Sequence, residues 1–313
     1  MLDLDHARIA TPDRTRVDPE VFGMTKKTTK PGKPAAKKSD ASEKKHTEDH
    51  AFYKNPLYYD IVFDGDIKDE IEFYKRCFDE YAGVKVKKVL EPACGNGLYL
   101  EMMAKAGFTI TGYDLAPEMV KYSQERVRKA GVGKAVTVVE GDMRSITFKD
   151  KFDAAINQIN SLAYLTKDAD IISHFKVTAD SLVDGGIYIV ELTLKCDEFE
   201  QEHKKDETWT MERDGVVCTA TWRPNRYDVK NKLRHIDFKM HVDDHGKTFD
   251  VAETHELRLW TYDDIVSLVK AGGLDLVAAI DGIYKKIPDG ARITGDTYEF
   301  PYFILKKPSK SKK

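Results

Sequence analysis

Apolar positions follow two different periods along the middle of the chain. Short continuous apolar runs, typical of buried strands, alternate with longer stretches in which apolar residues recur every three or four positions, which predicts helices. The predicted strands are 86–90, 108–113, 136–139, 152–157 and 187–192, and the predicted helices are 98–106, 116–129 and 169–182. Repeated strand–helix units predict an α/β fold, with a doubly wound, mostly parallel sheet covered by helices on both faces.

The segments on either side of this region have other patterns. Residues 67–81 have the spacing of an amphipathic helix, and residues 51–63 before them are rich in aromatic side chains. Residues 196–258 alternate polar and apolar positions around an Asp214-Gly215 pair, which suits a two-residue hairpin turn. We therefore expect an antiparallel β insert there, followed by a helix at 262–271 and by strands at 274–280 and 298–305.

These patterns divide the chain. A tail (1–48) precedes a Rossmann-like core (49–195), the insert (196–258), a segment that completes a seven-stranded core sheet (259–306) and a second tail (307–313). The first tail has few apolar residues and no periodicity, so we predict that it is disordered. Met24 directly precedes its lysine-rich stretch, and a translation start there is a hypothesis.

Charge is distributed unevenly along the chain. The net charge is −3, yet residues 24–47 contain eight lysines and the last eight residues contain five, so the region between is acidic. An acidic body is poorly suited to a nucleic-acid duplex, whose binding depends on phosphate neutralisation. The lysine-rich tails could contact RNA or an anionic surface, or could simply be solvated ends.

Membrane, disulfide and metal functions find no support in the sequence. No apolar run approaches the ~20 residues of a membrane helix, and the first residues lack the apolar stretch of a signal peptide. The four cysteines are widely spaced and form no CxxC pair, and the histidines share no ligand spacing. We expect no metal site, no disulfide framework and a reducing cytoplasmic location.

Residues 89–97, VLEPACGNG, carry the main chemical signal. A strand that turns into a helix presents backbone N–H groups and a positive dipole end, and Gly95 and Gly97 allow a ligand to approach closely. A dinucleotide fingerprint would require a small residue at position 100, where this chain has Leu100. Glu91 would repel a diphosphate at the end of the strand, but it would suit an ammonium group.

Two further acidic residues follow predicted strands. Asp114 lies 19 residues after Gly95, where a carboxylate can accept hydrogen bonds from ribose hydroxyls. Asp142 and Met143 follow the third strand and could bracket an adenine. Taken singly, each carboxylate could equally be a helix cap or a solvated loop residue. Taken together, they indicate one bound nucleoside, S-adenosylmethionine.

These motifs resemble those of the class I S-adenosylmethionine-dependent methyltransferases. The matching segments are 91–97, 113–115, 140–143 and 152–157, and the resemblance spans about 51–305. Ala93 occupies the position of the family's usual first glycine. The resemblance implies a cofactor site in which the glycine turn holds the methionine end, Asp114 the ribose, and Asp142 and Met143 the adenine. The implied residues are Glu91, Ala93, Gly95, Gly97, Asp114, Leu115, Asp142, Met143 and Asn157.

A finer resemblance links the chain to the glycine and amino-sugar N-methyltransferases. NSLAYL (160–165) is similar to a segment in which these enzymes have a histidine, and Tyr164 stands at that position here. The aromatic segment 52–63 is similar to their helix that closes over the sulfonium with tyrosines, which match Tyr53 and Tyr59. The resemblance implies catalytic roles for Tyr59, Asn160 and Tyr164, and a cofactor contact for Tyr53.

The insert contributes candidates for substrate binding. Aromatic faces stabilise a cationic methyl group or an amine by ~0.5–2 kcal/mol each, and Trp222 and Tyr227 could serve this purpose or could simply pack in the sheet. Arg226 could pair with a substrate carboxylate or could be a surface arginine. Of Tyr58 and Tyr59, we expect one to face the core and the other the pocket.

The predicted function is S-adenosylmethionine-dependent methyl transfer to a small molecule, at an amine nitrogen, with S-adenosylhomocysteine as the product. The transfer is an in-line displacement that depends mainly on alignment. Three alternatives remain open: O-methylation of a small metabolite, methylation of RNA or protein recruited by the tails, and a non-catalytic cofactor-binding module. The sequence makes no prediction of the oligomeric state.

Overall fold

A computed structural model describes residues 52–195, 206–298 and 300–309. The helices are α1 (Pro56–Val62), α2 (Lys68–Tyr81), α3 (Leu98–Lys105), α4 (Pro117–Lys129), α5 (Asp168–Ser181) and α6 (Tyr262–Ala271), with a 3-10 helix at Ser161–Tyr164. The strands are β1 (Lys88–Pro92), β2 (Thr109–Asp114), β3 (Val136–Glu140), β4 (Phe152–Asn157), β5 (Leu182–Glu191), β6 (Glu207–Arg213), β7 (Val216–Asp228), β8 (Leu233–Asp244), β9 (Lys247–Arg258), β10 (Asp275–Ile280) and β11 (Tyr302–Lys306). The predicted tail 1–48, the start of the insert and the last four residues lie outside the described residues.

The main sheet confirms the predicted α/β class. Within the described residues it has seven strands in the order β10-β11-β5-β4-β1-β2-β3. Strand β11 runs antiparallel to both of its neighbours, and the other pairings are parallel. The strand order reverses between β1 and β4. In doubly wound sheets a ligand crevice forms at such a point, outside the carboxyl ends of the strands.

The insert forms a separate antiparallel sheet in the order β6-β7-β8-β9. Asp214 and Gly215 both have positive φ, at 53° and 81°, so the predicted hairpin turn is present between β6 and β7. Strand β9 was not among the predicted strands, although it pairs with β8 along its whole length. Its alternation is hidden because polar residues occupy two of its inward positions.

The predicted starts of two strands are wrong. The last strand begins at Tyr302 and not at residue 298, and the fifth begins earlier than predicted. The sequence pattern starts the fifth strand at 187, but β5 begins at Leu182 and includes Gly185 and Gly186. The segment remains in the sheet because its backbone groups find partners on both sides. The Gly185 N–H donates to the Lys307 carbonyl at 3.0 Å, and the Gly83 N–H donates to the Gly185 carbonyl at 2.8 Å.

Three apolar cores hold these layers together. One lies on each face of the main sheet. The third lies between α1 and the insert and includes Phe52, Ile61 and Phe238, each at most 2% exposed. This third core places α1 and the residues before it between the insert and the carboxyl ends of the main strands. In the part of the chain that the structure describes, no helix is both long enough and apolar enough to span a bilayer.

The contact between α5 and the end of α6 gives a testable prediction. A β-carbon added at Gly272 would lie 2.2 Å from the β-carbon of Phe175, a fully buried residue. We expect Gly272→Ala to lower the free energy of unfolding by about 1–3 kcal/mol, because overpacking of a core is destabilising. Denaturant unfolding measures the change. Gly133→Ala is the control, because a β-carbon there meets nothing within 4 Å, and an equal loss in both variants would contradict the packing argument.

Candidate active site

The glycine turn lies between β1 and α3, and it is held rigidly from two sides. Ala93, Gly95 and Gly97 all have positive φ, at 52°, 50° and 76°. The Gly95 N–H donates to Asp114 Oδ2 at 2.9 Å, and the Ser123 hydroxyl donates to the Gly95 carbonyl at 2.6 Å. The left-handed backbone at Ala93 explains why a glycine is usual at this position.

Asp114 ends β2 beside this turn. Its second oxygen, Oδ1, accepts from the Ala116 N–H at 2.9 Å. Burial raises the pKa of Asp114, and the backbone N–H groups at Ala116, Gly95 and Leu115 offset only part of that effect. Each carboxylate oxygen keeps a further lone pair that can accept from a hydroxyl group. The Leu115 side chain is exposed next to it.

Two buried polar atoms at the ends of β1 and β4 have no hydrogen-bond partner among the described residues. They are Glu91 Oε2 and Asn157 Oδ1. The other polar atom of each side chain is hydrogen-bonded. Glu91 Oε1 accepts from Gln158 at 3.0 Å, and Asn157 Nδ2 donates to the Pro92 carbonyl at 2.9 Å. Burial raises the pKa of Glu91. Both orphaned atoms are acceptors, so the ammonium of a methionine moiety is the complementary donor.

The loop after β3 contains the predicted adenine contacts. Both oxygens of Asp142 accept hydrogen bonds from Arg144, which holds the pKa of Asp142 below its usual range. The Met143 carbonyl lies 3.1 Å from His174 Nδ1, while His174 Nε2 lies 2.9 Å from the Tyr188 hydroxyl. Burial lowers the pKa of His174 to about 4, so it stays neutral and anchors the loop.

Three neighbouring tyrosines, which we call the tyrosine wall, extend from the glycine turn toward the insert. They are Tyr53, Tyr59 and Tyr164. A β-carbon built on Gly95 would lie 3.9 Å from the Tyr59 hydroxyl. The Tyr53 hydroxyl donates to the Tyr164 oxygen at 2.7 Å, and the rings of Tyr53 and Tyr59 are 5.8 Å apart. Burial raises the pKa of all three phenols, so they remain protonated at neutral pH.

The two neighbouring tyrosines of α1 point in different directions. Tyr58 lies away from the turn, because its hydroxyl donates to Asp244 of the insert at 3.0 Å. Tyr59 is therefore the one that faces the pocket. This division agrees with the expectation from the sequence.

A buried carboxylate that the sequence analysis did not single out fixes α1 in place. Asp60 is 5% exposed. Its two oxygens accept hydrogen bonds from Asn96 (2.6 Å), Tyr122 (2.8 Å), Arg126 (2.5 Å) and Arg213 (2.7 Å). Burial opposes its ionisation, but these donors outweigh burial and lower the pKa of Asp60. One side chain thus joins α1 to the glycine turn, to α4 and to the insert.

The segment after β4 is strained and firmly anchored. Ile159 and Asn160 both have φ of 54°, which is unusual for non-glycine residues. The Ile159 N–H donates to Glu191 at 2.8 Å, and Asn160 Oδ1 accepts from the Thr193 N–H at 3.1 Å. The Asn160 side chain therefore bonds to the backbone beyond β5, and this anchoring positions the 3-10 helix that carries Tyr164.

The predicted insert residues separate into two groups. Trp222 stacks on His255, with ring centroids 5.3 Å apart, and packs near the 3-10 helix. Tyr227 is half-buried further along β7. Arg226 is exposed and hydrogen-bonded to His235 at 2.9 Å, after a register shift in β7. The structure thus brings Trp222 toward the tyrosine wall and does not bring Arg226 there.

Two functional candidates on β9 were missed in the sequence. Glu253 and His255 lie on the inward face of the insert, in line with the buried Val251 and Leu257. The signal was present, because a glutamate and a histidine at alternate positions of an apolar strand face must be satisfied inside the protein. It was overlooked because the histidines were compared only for metal-ligand spacing.

Comparison with known proteins agrees with this site. Residues 89–186 match the methyltransferase domain family. YqeM of Bacillus subtilis, which is named as a methyltransferase, is 28% identical over 193 residues, covering 60% of this chain and 74% of YqeM. The Streptomyces fradiae dTDP-3-amino-3,6-dideoxy-alpha-D-glucopyranose N,N-dimethyltransferase is 23% identical over 223 residues, covering 70% of this chain and 82% of that enzyme.

The fold is shared with solved structures. An S-adenosylmethionine-dependent methyltransferase from Clostridium acetobutylicum superposes with a TM-score of 0.65 at 21% identity, over 82% of this chain and 99% of that one. The fold is a Rossmann-like methyltransferase fold, and the candidate site lies at its strand ends. The chain is an S-adenosylmethionine-dependent methyltransferase, and the predicted cofactor is confirmed.

Glu91→Gln tests the orphaned carboxyl. Burial raises the pKa of Glu91, so the folded state favours the protonated carboxyl. The resulting contribution to folding stability is fully present below the pKa of Glu91 in the unfolded state, and it is lost as the pH rises through the pKa of Glu91 in the folded state. A glutamine side chain does not ionise, so the variant does not lose stability as the pH rises. We expect the cofactor-free variant to gain stability at neutral pH, and its affinity for S-adenosylmethionine to fall at least tenfold, about 1.4 kcal/mol.

Denaturant unfolding across pH and calorimetric titration measure the two effects. Glu118→Gln, at an exposed position in the first turn of α4, should change neither. Unchanged cofactor affinity in Glu91→Gln would remove this carboxyl from the site.

Asp114→Ala tests the second strand end. We expect a loss of at least tenfold in affinity for S-adenosylmethionine, because the variant loses both a carboxylate that can accept from a ribose hydroxyl and the anchor of the Gly95 N–H. Asp153→Ala is the matched control, since Asp153 also accepts from backbone N–H groups, at Lys87 (2.8 Å) and Lys88 (2.9 Å) near the amino end of the sheet. Similar calorimetric losses in both variants would show a general loss of stability and not a binding role.

Proposed function

We propose that this methyltransferase acts on a small molecule at an amine nitrogen. The observation that carries the proposal is the enclosure of the site. The tyrosine wall and the insert cover the glycine turn, and the third apolar core holds them there. An acceptor must fit beneath this cover, which favours a small metabolite over a folded polymer.

The residues around the site suit a cationic acceptor. When bound, S-adenosylmethionine supplies a methyl group on a positively charged sulfur. The rings of the tyrosine wall can stabilise positive charge by ~0.5–2 kcal/mol each, and exclusion of water by the cover strengthens these interactions. Alignment of acceptor and donor can supply ~7–11 kcal/mol of the barrier reduction. An ammonium acceptor must also lose a proton before it can attack.

The named relative supports nitrogen as the target. The Streptomyces fradiae enzyme is named as an N,N-dimethyltransferase of an amino sugar nucleotide, and the alignment covers 82% of it. We accordingly propose amino sugars as the first acceptor class to test. A reducing location is also proposed, because Cys77, Cys94 and Cys218 are buried free thiols.

Release of S-adenosylhomocysteine tests the proposal. The full chain is incubated with S-adenosylmethionine and, in separate reactions, with nucleotide-linked amino sugars, free amino acids, phenols, RNA and peptides. We expect product only with amine-bearing small molecules. Turnover with phenols alone would indicate O-methylation, and turnover with RNA or peptides alone would indicate a polymer substrate. Saturable cofactor binding without turnover on any acceptor would indicate a binding module; each of these three results contradicts the proposal.

A further inference from the structure

A continuous line of polar groups leads from the tyrosine wall into the insert. The Tyr53 hydroxyl donates to the Tyr164 oxygen at 2.7 Å, and the Tyr164 oxygen lies 2.8 Å from His255 Nδ1. His255 Nε2 lies 3.0 Å from Glu253 Oε1, at ion-pair distance but without hydrogen-bond geometry. The other oxygen of Glu253 accepts from the Phe52 N–H at 3.1 Å. The line therefore runs from the pocket to a carboxylate.

The end of this line is buried among apolar groups. His255 is fully buried, stacked on Trp222 and in contact with the edge of Phe238. The inward face of the insert around His255 is mostly apolar, with Ile236 and Met240 on it, and Arg234 is a half-buried charge on the same face of β8. A histidine and a glutamate in such a place are costly for folding, so a functional reason for their presence must be sought.

The groups that face His255 define which ring nitrogen carries the proton. Tyr164 faces Nδ1 from the 3-10 helix, and Glu253 faces Nε2 from the same strand. Tyr53 approaches the ring edge from the segment before α1, β7 presents Trp222, and β8 presents Phe238 and Ile236. The Arg234 guanidinium of β8 is near enough to act electrostatically on Tyr164. A carboxylate beside Nε2 favours a proton on that nitrogen, which leaves Nδ1 to accept the Tyr164 proton.

We infer that this line is a proton relay, in which His255 receives the proton that an ammonium acceptor must lose before methylation. This inference rests on the proposed function. The acceptor N–H proton passes to the Tyr53 oxygen, the Tyr53 proton passes to the Tyr164 oxygen, and the Tyr164 proton passes to His255 Nδ1. The acceptor becomes a neutral amine, both phenols stay protonated, and His255 becomes an imidazolium beside the Glu253 carboxylate.

The relay joins Tyr164 to a histidine from a distant strand. Tyr164 lies 91 residues before His255 in the chain. A phenol at position 164 cannot by itself hold a proton from an ammonium, because phenols are very weak bases. Coupled to His255, it can pass the proton to an imidazole, which is a much stronger base than a phenol.

The ring state of His255 can be tested without turnover. Nitrogen-15 spectra of histidine-labelled protein report which ring nitrogen is protonated, and His255→Asn identifies the resonances by their loss. We expect Nε2 protonated and Nδ1 hydrogen-bonded, with the Nδ1 resonance shifting in Tyr164→Phe. Protonation at Nδ1 would overturn the relay, even if every variant of His255 folded poorly.

The second test uses acceptors of different basicity. In His255→Asn, the amide oxygen of asparagine can still accept a hydrogen bond from Tyr164. An amide is too weak a base to take up the proton from the acceptor. At neutral pH we expect kcat with an ammonium-type amino sugar to fall about 100-fold, within the ~10²–10⁴-fold contribution of general base catalysis. For the matching alkoxyamine sugar, which is already neutral at that pH, we expect a fall below about threefold. An equal fall with both acceptors would mean that His255 only positions Tyr164, and the relay would be wrong.

A control variant comes from the same insert. His241 also lies beside an aspartate, with Nδ1 2.7 Å from Asp250, but both side chains are exposed. His241→Asn should leave both rates unchanged, and a selective loss there equal to that of His255→Asn would overturn the relay.

The outcomes also separate the two proposals. If wild-type protein methylates no amine, the proposed function fails; if it methylates amines and His255→Asn is as fast as wild type, the relay alone fails.

Discussion

The site depends on the docking of a short helix by one buried carboxylate. Helix α1 has only seven residues, too few to be stable by itself. Asp60 holds it through four donors on three other elements, and two of the donors are arginines that offset the cost of burying the charge. Without this anchor, the tyrosines on and before α1 would lose their fixed position over the glycine turn.

A second constraint is the set of buried polar groups at the strand ends. Glu91 and Asn157 each retain an acceptor atom without a partner in the described part of the chain, which costs stability when no ligand is bound. Such groups fit a cofactor with a cationic end, because the ligand supplies the donors that the fold omits. Binding and stability are therefore in direct competition at these positions, as is usual at functional sites.

The predicted mostly parallel sheet was confirmed, because continuous apolar runs separated by periodic helices leave few alternatives. The strand-end residues followed from the same pattern, since successive parallel strands bring their carboxyl ends to one edge of the sheet. The prediction failed at β9 and at the start of β5. In β9 the polar Glu253 and His255 interrupt the apolar alternation, and in β5 backbone pairing with neighbours distant in sequence holds glycines in the sheet. Arg226 was misplaced with the pocket candidates because a register shift in β7 cannot be seen in the sequence.

The sequence alone determined the fold class and the cofactor, and it predicted the strand-end residues of the candidate site, because each follows from local periodicity and from residues close together in the chain. Only the tertiary structure decided which aromatic and ionisable groups meet over the cofactor. Tyr53, Tyr164 and His255 come from three separate segments, and Asp60 and Arg213 lie 153 residues apart. Such meetings are fixed by the packing of the insert on α1, and the free energy of that packing is distributed over contacts that no short stretch of sequence contains.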